Sequence, residues 1–183
     1  MFQFKKRAIG ISVGLVMMTI LTLGGAATAF ADGGPVVATT DLGAGDLSAT
    51  ATSVDTSGFV LSGADQIYIY TLPVAVADAT GSNLGWNLTV TSTQFTSGSH
   101  TLAANASSIT AVTITPGAGT PPTASSLAYP LTINATAVKF FSATATTGMG
   151  SSTITPTIDV AVPGGTAPGS YISTVTVASV SAP

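Results

Sequence analysis

From about residue 47 to residue 180 the chain keeps a two-residue rhythm, in which an aliphatic or aromatic side chain alternates with a hydroxyl or a small residue. Trp86-Asn87-Leu88-Thr89-Val90-Thr91 and Ile154-Thr155-Pro156-Thr157-Ile158-Asp159-Val160 show it most plainly. In an extended chain successive side chains point to opposite faces, so this alternation collects the apolar groups on one side of a strand. A helix would scatter the same residues around its circumference. No stretch after residue 31 has amphipathic helical spacing, so an all-β fold follows: an Ig-like antiparallel β-sandwich of about eight to ten strands.

Ser and Thr are abundant enough to suggest a disordered stalk, but disorder goes with few aliphatics and high net charge. This chain is 45% hydrophobic and 6% charged. Threonine suits an outward strand face, because it is β-branched and its hydroxyl keeps that face wet without charge.

The first 31 residues have a different character. Lys5, Lys6 and Arg7 precede an apolar run from Ala8 to about Gly25, and Ala29-Phe30-Ala31 closes it. A basic head, an apolar middle and small residues two apart make a secretory signal peptide, with cleavage expected after Ala31. Residues 32–45 then form an N-terminal extension or first strand, and 46–183 a single sandwich domain. The chain left after cleavage holds one cation, Lys139, against seven aspartates, a net charge of −6. That balance excludes nucleic acid, whose phosphates require several Lys or Arg, and anionic membrane surfaces for the same reason. Without cysteine no disulfide staples the fold, and burial alone must stabilise it.

Strands are expected at 47–54, 58–61, 66–76, 86–93, 109–114, 127–133, 137–141, 154–162 and 170–180. Loops are expected at Pro116–Pro122 and Pro163–Gly169, where proline and glycine break the periodicity. The last two strands read as a long hairpin across that second loop. Pro73 predicts a bulge or an edge in the strand over 66–76, both of whose faces read as partly covered. With one lysine after residue 31, the usual charged guard against edge-to-edge pairing is missing.

No catalytic constellation emerges. His100 is the only histidine, and its neighbour Ser99 is explained by the abundance of serine. Glutamate is absent, and the aspartates mostly occupy turn contexts where they cap backbone amides. Asp159 is the exception, mid-strand on the face opposite Ile158 and Val160. Asp41 and Asp46 begin and end a Gly-rich hexapeptide but lack the remaining ligands of a calcium loop. Neither an enzyme, a metal site nor a cofactor is expected.

Trp86, the single tryptophan, projects with Leu88 and Val90, either as a plug between two sheets or as a platform for a ligand. Trp86-Asn87-Leu88, with Val74–Gly81 before it and Val90–Phe95 after it, resembles the first W-x-L segment of WxL-domain surface proteins. The likeness continues at Thr147-Gly148-Met149-Gly150, Pro156–Pro163 and Gly169–Val177. It implies a bacterial, secreted, cell-wall-associated protein held noncovalently on peptidoglycan or another wall glycan, alone or with other surface proteins or copies of itself. It also makes Trp86, Asn87 and Leu88 the candidate ligand-binding residues. One departure is plain: the family's distal motif carries a second tryptophan where this chain has Val177. No sorting sequence of the LPxTG type occurs, so attachment is expected to be noncovalent, with no membrane association after signal cleavage. The alternative is a structural subunit of an extracellular fibre or matrix. Pro35–Asp41, a short apolar segment, would then complete a neighbour's sheet by strand exchange.

Overall fold

The computed structural model describes residues 39–54 and 58–181. The expected signal peptide and most of the N-terminal extension lie outside the described residues. Eleven strands follow one another among these residues, with no helix: β1 (Leu47–Ala51), β2 (Gln66–Thr71), β3 (Val74–Asp78), β4 (Trp86–Ser92), β5 (Thr96–Ser97), β6 (His100–Thr101), β7 (Ser107–Gly119), β8 (Leu131–Ile133), β9 (Val138–Ala143), β10 (Gly150–Val162) and β11 (Val175–Ser181).

Two antiparallel sheets enclose one core. The larger has six strands in the order β1-β3-β10-β7-β8, with β2 also paired to β10; the smaller runs β11-β4-β9. The alternation in the sequence becomes an alternation in burial: along β10 Ser152, Ile154, Pro156, Ile158, Val160 and Val162 are buried while the residues between them stay half-buried or exposed. Val74, Val76, Ile109, Ile154 and Ile158 from the large sheet meet Trp86, Leu88, Val90 and Phe141 from the small one in a continuous apolar cluster. An antiparallel sandwich therefore forms where the period-two pattern places it.

The strand expected over 66–76 is cut in two without losing register. Thr71 faces Thr157 and Val74 faces Ile154, so β2 and β3 lie end to end along one flank of β10. The break falls where two prolines meet. Leu72 N–H donates to Pro156 O (3.1 Å), but Pro156 has no N–H to return, and Pro73 lacks one as well. A bulge is not what Pro73 produces. Nor are both faces of this segment covered: beyond the break β1 no longer accompanies it, β2 becomes an edge, and Ile67 and Ile69 face outward.

Four further expectations are corrected. Residues 58–61 form no strand, and the 127–133 strand shrinks to β8. The Pro116–Pro122 loop is strand up to Gly119, because glycine lets β7 approach β10: a Cβ on Gly117 would lie 2.7 Å from the Ser151 carbonyl oxygen. Finally, β10 and β11 are not a hairpin. Both flanks of β10 are already occupied, by β7 on one side and by β2 and β3 on the other. No ladder remains for β11, and Pro163–Gly169 carries the chain across to the small sheet, where β11 pairs with β4.

Candidate wall-binding site

Gly85 turns the chain into β4 with a φ of 78°, a conformation that a side chain would strain. Trp86 follows at the start of the central strand of the small sheet and has no exposed surface. Its ring packs against Phe141 with centroids 5.3 Å apart, and its Nε1–H donates to the Gly148 carbonyl at 3.0 Å. Gly148 adopts a φ of 79°, and a Cβ there would sit 2.7 Å from that indole nitrogen. The W-x-L and Thr-Gly-Met-Gly segments, far apart in sequence, are thus one packing unit. Leu88 is fully buried beside Trp86, and Asn87 is 8% exposed. Val177, at the position of the second tryptophan, pairs with Val90 across β11 and β4.

The candidate acids and bases are dispersed. Asp78 is buried at the end of β3 and accepts from Thr80 N–H (3.0 Å) and Thr80 Oγ1 (2.7 Å). Asp65 accepts from Gly164 N–H (2.7 Å), tying two loops. Asp159, half-buried on the outer face of β10, accepts from Thr110 Oγ1 (3.2 Å). His100 is exposed in the short β5–β6 hairpin. Asp41 and Asp46 are exposed, and among the described residues no group of three or more His, Cys, Asp or Glu side chains could hold a metal ion.

A groove lies at the opposite end of β10 from Trp86, where β2 becomes an edge. About 1110 Å³ in volume, it is lined by Phe59, Tyr68, Tyr70, Phe95, Tyr171 and Val160 among others, and no described residue of its walls is charged. The Phe59 and Tyr68 rings meet edge to face at 5.1 Å, and Tyr68 stacks near Tyr70 at 6.3 Å. Burial, aided by the neighbouring Tyr68, pushes the Tyr70 hydroxyl up to about 12, so it stays a neutral hydrogen-bonding group at any physiological pH. Tyr171 is oriented by its hydroxyl, which donates to Ala167 O (3.0 Å). Sequence reasoning missed this groove. Its signal was the shared inward face of Tyr68 and Tyr70 on a strand whose outer neighbour stops at Ala51.

A β-sandwich with an aromatic groove of this size has the build of a binding module. Residues 43–176 match the family model of the WxL domain, a surface cell wall-binding domain. The match spans well over half of the 183 residues, and the chain belongs to the WxL family. It is an extracellular, cell-wall-associated protein that binds the wall, and its family is not a catalytic one. No curated protein and no solved structure matches the sequence.

Proposed function

We propose that the domain holds the wall noncovalently through the glycan strands of peptidoglycan, and that the aromatic groove is the contact surface. The observation that carries this reading is the groove's chemistry: tyrosine and phenylalanine rings surrounded by hydroxyls and backbone, with no charged side chain among the described lining residues. A sugar ring has an apolar C–H face that lies against an aromatic ring, and hydroxyls that reach Ser, Thr and backbone groups at the rim. Trp86, Asn87 and Leu88 contribute from the interior in this reading, by fixing the small sheet rather than by touching the polymer. Displayed at the wall, the domain presents its sparsely charged outer faces to other surface proteins, which gives it an adhesive role.

Sedimentation with purified sacculi tests the proposal. The secreted protein is expected in the pellet, and Tyr68→Ala with Tyr171→Ala is expected to release it by tenfold or more, about 1.4 kcal/mol, under conditions where circular dichroism shows the variant still folded. No retention at any ionic strength removes wall-glycan binding; full retention of the double variant moves the site elsewhere.

A second reading, a structural subunit assembled by strand exchange through Pro35–Asp41, is favoured by the free edge of β2 beside the groove. Most of that donor segment lies outside the described residues. Fibres in electron micrographs that disappear when residues 32–41 are deleted would support it; dispersed particles in both forms would remove it.

A further inference from the structure

The outer edge of β2 takes no ladder bond among the described residues. Its backbone parity is set by two bonds. Leu72 N–H reaches Pro156 O on β10, whereas Pro73 O faces the other way and accepts from Thr52 N–H (3.4 Å). Even-numbered residues of β2 therefore aim their backbone groups at β10, and Ile67, Ile69 and Thr71 aim theirs at the free edge. The same two isoleucines are 61% and 58% exposed on the outer face. No residue of Gln66–Thr71 is charged, so nothing on this strand repels another edge. The nearby Phe59–Ser62 segment bonds to β2 only through the Gln66 side chain, to Val60 O and Ser62 N–H, and Phe59 sits over Tyr68 on the inner side.

We infer that this edge pairs with the same edge of a second copy of the chain, across a two-fold axis at Tyr68, joining two six-stranded sheets into one. The register is self-complementary. Ile67 falls opposite the second copy's Ile69 and Ile69 opposite its Ile67, and both pairs have outward-facing N–H and C=O groups, so the ladder closes with reciprocal bonds. Four isoleucines then cover one another on the outer face. The nearest charges among the described residues are Asp159, opposite Ile69 on β10, and Asp65, two residues before Ile67 and held by Gly164 N–H. The two copies' Asp159 carboxylates stand three strand spacings apart, about 14 Å or more, beyond the screening length at physiological salt. The partner must be uncharged and strand-shaped at its edge, and this chain, at 6% charged residues, supplies such a partner at its own concentration. On the inner side the two Tyr68 rings meet, so the two grooves adjoin and the pair grips a polymer at two points.

Light scattering and sedimentation velocity on the secreted protein, from micromolar to hundreds of micromolar, are expected to show a dimer. Ile67→Lys with Ile69→Lys, at positions open to solvent, is expected to halve the mass while the β signature in circular dichroism is kept. A wild-type monomer throughout, or a dimer that survives both lysines, overturns the inference. So does a dimer lost on deleting residues 32–41 but kept by the lysine variant, since that assigns assembly to strand exchange. Hydrogen exchange on the wild type needs no substitution: the Ile67 and Ile69 amides should gain protection with concentration, and fast exchange at every concentration also overturns it. Sacculus binding by the monomeric lysine variant remains measurable, which separates this test from that of the wall-binding reading.

Discussion

Trp86 shows how a motif residue can matter from inside the fold. Its ring fills the space between Phe141 and the Gly148 turn, and its one polar atom is satisfied by a carbonyl. Trp86→Ala is therefore expected to cost ~3 to 5 kcal/mol, lowering the melting temperature by on the order of ten degrees for a domain of this size. Trp86→Phe keeps most of the ring but leaves Gly148 O without its donor, a loss of about 1 to 3 kcal/mol. Denaturant titration of the three proteins checks the order, and equal stabilities would contradict it. Tyr70 gives a pH signature of its own. The folded chain keeps this phenol protonated up to about 12, against 10.0 for an ordinary tyrosine. Between those values the folded state binds more protons than the unfolded one, so stability is complete below pH 10 and declines as pH rises through the window. Melting temperatures followed from neutral pH to about pH 12, beside tyrosinate absorbance, should show the decline, and Tyr70→Phe should flatten it. The sequence placed Trp86 on the aliphatic side of its strand. It could not name Gly148 as the partner, because that contact joins residues 62 apart.

At the scale of the strands, the corrections share a cause. Local composition reports whether a segment tends to be extended, while hydrogen-bond partners decide whether it becomes strand. Pro116, Gly117 and Gly119 read as loop, yet the end of β7 pairs with β10 because neither glycine has a Cβ to hold the chains apart. Gly119 and Gly150 face each other with φ of 98° and 101° and leave no room for a side chain on either. Gly150→Ala is expected to destabilise the domain by about 1 to 3 kcal/mol through backbone strain alone, with more from collision with Ala118 O. A urea midpoint unchanged by the substitution would show that the backbone at this pair relaxes freely. Gly58–Leu61 fails in the opposite sense, since its residues favour strand but no ladder receives them. Pro73 and Pro156 interrupt a strand that the alternation ran through, since period two survives the break while donors do not.

For the whole molecule, charge is the governing quantity. With one lysine after residue 31 and no charged residue among the described walls of the groove, the proposed groove contact uses no ion pair. Retention on sacculi should therefore stay constant as ionic strength rises from low salt to about 1 M, where exposed charges are screened beyond ~3 Å. A steep fall with salt would point to the aspartates and a bridging cation instead. The groove itself was illegible in sequence, because its walls come from five separated stretches, and its opening exists only because β1 stops beside Pro73. What the residue order settled was the sandwich: side-chain direction in an extended chain is a local property, so a two-residue alternation dictates a sheet with one apolar face wherever it occurs. The partners of each strand, the interior seat of Trp86 and the open corner at β2 were decided by the folded molecule. Pairing is a competition for a limited number of edges, and when both flanks of β10 are filled the next strand goes to the other sheet, an outcome that no local stretch of residues encodes.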